Sequence, residues 1–388
     1  MQTGLHLSIH DFKADQWDAL NPSRYPGLLH GFLSALEDSK SVGDGTGWRP
    51  LYASVTESDQ LIGAMVCYLK SDSYGEYVFD WAWADAYHRH GLNYYPKCVT
   101  AVPFTPATGP RVLVRDGEDQ SLITHKLIET VRADLIDNIS SWHILFPDEQ
   151  SAQQIKSTGS WLERSGVQFH WFNQGFTSFD DHLATFNSKR RKEARRERRR
   201  VAEQGIEFER LTGHDLDQTA LDALFRCYQM TYRMRGSLGY LSRDFFTHVT
   251  ERIPDAICVA FAIHKGERIA MSFCLRDETT LYGRYWGALY DVDCLHFETC
   301  FHQWIDYAID QGITRFDPGA QGEHKIARGF QPVKTQSLHW IQYPEFEQAI
   351  SQFLTRERAH IDQYFAACDE STPFKSMENE LVLKKNPS

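Results

Sequence analysis

No two of the eight cysteines stand in a Cys-x-x-Cys spacing; Cys67, Cys98, Cys227, Cys258, Cys274, Cys294, Cys300 and Cys368 are scattered along the chain. That pattern argues against a zinc ribbon and against a dithiol redox site. No apolar run reaches the roughly 18 residues of a membrane span. Residues 1–15 carry charges and histidines and lack the apolar centre of a secretion signal. A Gly-x-Ser-x-Gly elbow and a P-loop are missing, which removes the usual serine-hydrolase and nucleoside-triphosphatase readings. His296-Phe297-Glu298 begins like a zinc-deaminase signature, but the Pro-Cys-x-x-Cys that must follow is absent. The net charge of −11 argues against a bulk nucleic-acid coat and leaves room only for a local basic patch. These absences together predict a soluble, cytoplasmic protein with reduced thiols.

What is present points to packed cores. Hydrophobic residues make up 42% of the 388-residue chain and aromatics 13%, which is ample for folded domains rather than disorder. The length suggests about two or three domains, and one order of elements occurs twice. Residues 51–55 and 61–69 read as strands joined by a turn, with residues 76–83 as a third strand. Later, 258–263, 268–275 and 280–287 repeat that order, with turns at 264–267 and 276–279. The run Ile62-Gly63-Ala64-Met65-Val66-Cys67 echoes Ile269-Ala270-Met271-Ser272-Phe273-Cys274. Each half then supplies an amphipathic helix, 121–137 and 295–310, and a further strand, 141–146 and 313–317. In the second of these helices Phe297, Phe301, Trp304, Ile305, Ala308 and Ile309 share one face. The expected class is therefore α/β (α+β), with mixed sheets flanked by helices and a tandem duplication. The expected division is 1–176, a basic linking segment 177–205, and 206–388.

Three other segments stand out. Residues 94–111 hold four prolines, which exclude helix and suit a rigid groove lining or a wrap over the sheet. Residues 188–200 form a strongly basic helix with almost no apolar face, expected to be exposed; it is either a solvated connector or a contact for a phosphate-rich partner. Strand 313–317 runs into the polar loop Pro318-Gly319-Ala320-Gln321-Gly322-Glu323-His324-Lys325. In open α/β sheets ligands bind beyond the carboxyl ends of strands. Helices are also expected at 221–235 and 345–367, with a loosely held tail after Ser371.

The segment 94–111, the basic helix followed by Gly205-Ile206, His296-Phe297-Glu298, and Gly319-Ala320-Gln321-Gly322-Glu323-His324-Lys325 with Arg328-Gly329-Phe330 together resemble the FemAB-like acyltransferases of the GNAT superfamily. The resemblance covers nearly the whole chain. It implies two GNAT-like domains in tandem and transfer of an acyl or aminoacyl group to an amine, with a peptidoglycan precursor as acceptor and acyl-CoA or aminoacyl-tRNA as donor. No permanently bound cofactor is implied. GNAT enzymes that bind CoA carry Arg/Gln-x-x-Gly-x-Gly/Ala, whose backbone N–H groups hold the pyrophosphate. The nearest match here, Arg284-Tyr285-Trp286-Gly287-Ala288, is incomplete, and makes Gly287 and Ala288 the donor-binding candidates. The other reading is a non-enzymatic module that recognises a cell-wall precursor or RNA.

Acyl transfer to an amine needs a neutral amine, a polarised carbonyl and both held in line. His296, Glu298, Glu323 and His324 are the candidate bases, and Tyr285 is a candidate proton donor to the leaving group. Gln321, Lys325 and Arg328 are the substrate-binding candidates, with Gly319 and Gly322 letting the backbone approach a ligand closely. His296, Glu298, Glu323, His324 and Lys325 are expected to line one cleft.

Overall fold

The structure, a computed structural model, describes residues 1–375 apart from Arg235 and Gln321. Arg235, Gln321 and the end of the expected tail, 376–388, therefore lie outside the described residues.

Thirteen strands build one mixed sheet: β1 (Gln2–His6), β2 (Trp48–Glu57), β3 (Gln60–Lys70), β4 (Lys97–Thr100), β5 (Leu113–Val114), β6 (Ser141–Leu145), β7 (Leu162–Phe172), β8 (Ile206–Thr212), β9 (Ile257–His264), β10 (Glu267–Arg276), β11 (Thr280–Ala288), β12 (Arg315–Asp317) and β13 (Gln331–Ile341). They run in the order β1-β2-β3-β4-β6-β13-β7-β12-β11-β10-β9-β8, with β5 attached to β3. Read inward from either edge, the pattern is the same. Neighbours are antiparallel as far as β4 and β11, and the next pairs, β4–β6 and β11–β12, are parallel. Strands β3 and β10 thus hold equivalent places in the two halves of the sheet. The matching hairpins close with two-residue turns in which both central residues have positive φ: Ser58-Asp59 (49° and 60°) and Lys265-Gly266 (51° and 79°). Turns of that kind match the right-handed twist of the flanking strands.

The halves are not side by side; they exchange their last strands. β7, from the first half, pairs with β12, and β13, from the second, pairs with β6. β7 and β13 then pair with each other from Gln331↔His170 to His339↔Leu162. The sequence pattern hid β7, because Glu163, Arg164, Ser165 and Gln168 break its apolar alternation. Those polar positions belong to a strand one face of which borders a cleft.

Residues 76–83 correct an expectation. They form a loop and the start of helix Trp81–Arg89, not a strand, and β4 takes the third-strand position. The loop is held by buried charge. Lys97, fully buried, donates to Glu76 Oε2 and Ser73 Oγ (both 2.8 Å) and to Asp80 Oδ2. Burial opposes the charge of Lys97, but Glu76 and Asp80 overcome it and raise its pKa. Asp80 also accepts from Tyr94 Oη (2.6 Å). The helix expected at 295–310 is likewise broken: Leu295–Phe297 and Gln303–Asp310 flank a π turn at Glu298–His302. Helix Pro344–Glu370 packs over β7 and β13, and its Glu357 receives both Nε and Nη2 of Arg164 (2.8 and 2.7 Å). Among the described residues no helix is long and apolar enough to cross a membrane.

At the seam, His143 Nδ1 and His339 Nδ1 are 2.6 Å apart, so one ring donates and the other accepts. Burial pushes His143 down to about 3 and His339 well below its ordinary 6.5. Both therefore stay neutral in the folded chain while the unfolded chain protonates them below pH 6.5. Their contribution is complete above that pH and is lost as pH falls, by about 1.4 kcal/mol per pH unit for each ring. The H143N/H339N double variant should show a shallower loss of stability between pH 6.5 and 5 than the natural chain, read as urea midpoints; equal slopes would mean that the rings are not held neutral.

Candidate active site

The β11–β12 ladder is short. It pairs Thr280↔Arg315, Leu281↔Phe316 and Tyr282↔Asp317, after which β11 continues to Ala288 with β10 still beside it. The two strands splay, and the edge of Gly283–Trp286 has no strand partner on that side. Gly283 allows the opposite wall to pass close, since a Cβ there would stand 3.1 Å from Pro318 Cα. Beyond Asp317 the chain turns through Gly319 (φ 84°), whose N–H donates to Asp317 Oδ1 (2.9 Å). It enters the 3₁₀ turn Glu323–Arg328 from Gly322 (φ 108°). Lys325 is only 3% exposed, and its Nζ donates to the Gly319 carbonyl (2.6 Å), which folds the loop back on itself.

A cavity of about 440 Å³ fills the splay, bordered by Gly283–Trp286 on one side and by Pro318, Ala320, Gly322, His324 and Lys325 on the other, with His296 and Cys300 from the broken helix. It joins two more spaces around Ala320. One, about 400 Å³, reaches Tyr77, Phe79 and Trp81 of the first half. The other, about 640 Å³, runs along Arg164–Phe169 of β7 and 335–337 of β13 to Glu323 and Tyr364. The three form one cleft between the halves.

Electrostatics set what these groups can do. Burial, with help from His324, Arg328 and Lys325, lowers the His296 pKa to about 4, so its ring is neutral near pH 7. His324 is lowered by burial and by Lys325 and Arg328. Burial brings Lys325 down to about 8 against the opposing pull of Asp317. Tyr285 is pushed up by burial and keeps its proton. Cys300 is raised to about 12, which makes it a poor nucleophile.

The structure brings His296, His324, Lys325, Tyr285 and Gly322 together around the splay, with Gly319 as the carbonyl that holds Lys325. Glu323 lies in the adjoining space and accepts from Tyr364 Oη (3.0 Å). Other candidates point elsewhere. Glu298 is buried against Arg198 (3.3 Å) and Gln303 (2.7 Å) and does not line the cleft. Arg328 gives its Nε and Nη2 to Glu197, donates to the His324 carbonyl (2.6 Å) and lies on the Phe297 ring, so its guanidinium is spent on structure. The basic helix, Ser188–Glu203, is therefore docked through its inner face, with Ala194, Glu197 and Val201 buried. The sequence suggested less contact, because docking here uses charge rather than apolar area. Gly287 abuts the helix Gln218–Arg233, where a Cβ would fall on the Cys227 carbonyl, and Ala288 packs in an apolar cluster with Ile206, Ala270 and Leu295. Neither borders the splay. Sequence reasoning missed Arg284, which borders two of the three spaces, reaches the Phe104 carbonyl of the first half and leaves its buried Nε unpaired. It also missed the loop 73–81, where the signal was Glu76, Asp80 and Lys97 standing among aromatics.

Among the described residues the corresponding gap of the first half is filled. After Thr100 the chain leaves β6, but the Pro-rich segment fills the gap: Gly109 bridges to Pro147, and buried Arg111 donates to the carbonyls of Leu145 (2.7 Å) and Ala107 (2.8 Å).

A family profile described as peptidoglycan biosynthesis/recognition, FemAB-like, matches residues 8–376. The chain belongs to the FemAB-like family. No curated protein sequence matches it significantly. Among solved structures, FemX aligns over 90% of this chain and 100% of its own, with 12% identity and a TM-score of 0.54. The C-terminal domain of a candidate lysylphosphatidylglycerol synthetase from Agrobacterium fabrum aligns over 88% and 95%, with 10% identity and a TM-score of 0.54. At these identities the likeness is one of fold. In this FemAB-like chain the splay lies between β11 and β12, and Gly287 stands outside it. Gly287→Ala should therefore cost about 3 kcal/mol of stability through overpacking, measured by urea unfolding. A stable G287A protein with only a raised KM for an acyl donor would return Gly287 to donor binding.

Proposed function

We propose that this FemAB-like protein is an N-acyltransferase that moves an acyl or aminoacyl group onto an amine, with acyl-CoA or aminoacyl-tRNA as donor and an amine of a peptidoglycan precursor as the leading acceptor. The observation that carries the proposal is the splayed β11–β12 edge, with the neutral His296 ring and the buried Lys325 ammonium beside it in one cavity. Family membership and the fold shared with FemX support the same reading.

In this scheme the donor's carbonyl lies in the splay, where a backbone N–H of the open β11 edge and the Lys325 ammonium polarise its oxygen. The amine attacks the carbonyl carbon; the C–N bond forms and the bond to the leaving oxygen or sulfur breaks. The amine gives up one proton, accepted by the His296 or His324 ring, and the leaving group takes one up. Tyr285, which holds its proton tightly, serves better as a hydrogen-bond donor than as the acid. Arg284 orients an anionic part of either substrate.

Two measurements test the proposal. Thermal-shift comparison of acetyl-CoA, longer acyl-CoAs, aminoacyl-tRNA and UDP-linked muropeptides should single out one donor and one acceptor class by raised Tm; binding without turnover in any combination would favour the recognition-module reading. With a turning-over pair, kcat/KM should hold between about pH 4, where His296 protonates, and about pH 8, where Lys325 loses its charge. Lys325→Arg should remove the alkaline fall, and Lys325→Gln should lower kcat/KM by about 100-fold. An unchanged profile in both variants would remove Lys325 from the chemistry.

A further inference from the structure

The mouth of the cleft carries large apolar side chains in open solvent. From the first half, residues 73–81 present Tyr74, Phe79 and Trp81 as exposed groups. Tyr240 is exposed as well, and the chain leading to it from helix Gln218–Arg233 carries Met234 (77% exposed) and Leu238 (88%) in solvent. The exposed rings are fixed in place: Tyr74 sits edge-on to Trp81 at 5.1 Å, and Tyr240 stacks on buried Phe104 at 4.7 Å. Tyr74, Phe79, Trp81 and Tyr240 border the 400 Å³ space that leads inward past Tyr285 and Trp286 to His296 and Ala320. Among the described residues its lining includes no carboxylate, and Arg284 is the one permanently charged side chain there. Arg233, exposed beside Met234, has no acidic partner among the described residues.

Single exposed apolar residues are ordinary on a protein surface; a set of four rings on one opening, with Met234 and Leu238 exposed on the segment that leads to the fourth, marks a docking surface. The chemistry favours one occupant. A protein seated on both strips would cap the opening and shut the route to His296. A lipid surface covers the strips and leaves its own molecules facing the opening. Tyr and Trp with polar tips, next to fully exposed Leu and Met and an unpaired Arg, match the boundary between headgroups and acyl chains.

We infer that this rim docks on a phospholipid surface, and that an amphiphilic substrate passes from that surface into the aromatic-lined space. The second half of the inference rests on the cleft being the site of reaction; the docking itself does not. The test is co-sedimentation of the full chain with vesicles of phosphatidylcholine plus phosphatidylglycerol, comparing the natural protein with M234D/L238D. Both substituted side chains stand in solvent, so the melting temperature should be unchanged. The natural protein should pellet with the vesicles, brominated lipid should quench part of its tryptophan fluorescence, and M234D/L238D should bind about tenfold more weakly or less. In Trp81→Leu the quenching should shrink. A natural protein that stays in the supernatant, equal binding by both proteins, or a dimer in sedimentation equilibrium that M234D/L238D disrupts would each overturn the inference. Vesicle binding needs no turnover, so a failed acylation assay leaves it standing, while loss of vesicle binding with acylation of a water-soluble amine intact leaves the proposed reaction standing.

Discussion

The antiparallel ladder between β7 and β13 is the constraint on which the other features depend. Because each half's last strand lies in the other's side of the sheet, neither half completes its own sheet. The exchange fixes the distance and tilt between the halves, and its polar face becomes the floor of the cleft along Arg164–Phe169 and 335–337. It also brings His143 and His339, 196 residues apart in the sequence, into one buried hydrogen bond.

Two buried charge clusters then hold the walls. On the first-half side, Lys97 ties down Glu76, Asp80 and Ser73, so that Tyr74, Tyr77 and Phe79 project at the opening. On the second-half side, Glu197 of the basic helix binds both His302 of the π turn (2.9 Å) and Arg328 of the site loop. Buried ion pairs add little net stability, since desolvation consumes much of the Coulomb attraction, yet removing one partner leaves an uncompensated charge. Their role here is orientation: each cluster joins segments far apart in the chain at a point where apolar packing alone would leave several loop conformations of similar energy.

The two halves differ at the gap beyond their parallel strand pair. Both halves start the same parallel pairing, but in the first the Pro-rich segment re-enters the gap and Arg111 satisfies the carbonyls there. In the second the gap stays open, and Lys325, His296 and the free edge of β11 surround it. One fold thus supplies a closed half, which contributes a wall and a rim, and an open half, whose side chains border the cavity.

Local pattern determined much of this from the sequence alone. The hairpins β2–β3 and β9–β10, their equivalence, the basic helix, the final helix and the loop after Asp317 were legible because each depends on periodicity, turn residues or charge within a short window. The resemblance to the FemAB-like family rested on two of these, the basic helix and the loop after Asp317, together with residues 94–111 and His296-Phe297-Glu298. Tertiary structure decided the rest. Glu298, Arg328, His296 and Lys325 look alike as sequence candidates, but the first two are taken by Arg198 and Glu197 while the other two face the cavity. Gly287 reads as a donor-loop glycine until the helix backbone at Cys227 is seen against it. Strand β7 and the loop 73–81 were illegible because their polar residues break the local pattern, and what satisfies them comes from distant chain: β13, Lys97 and Glu357. A sequence window records which groups a segment carries; which of them find a partner elsewhere, and which are left facing an opening, is fixed only when the strands exchange.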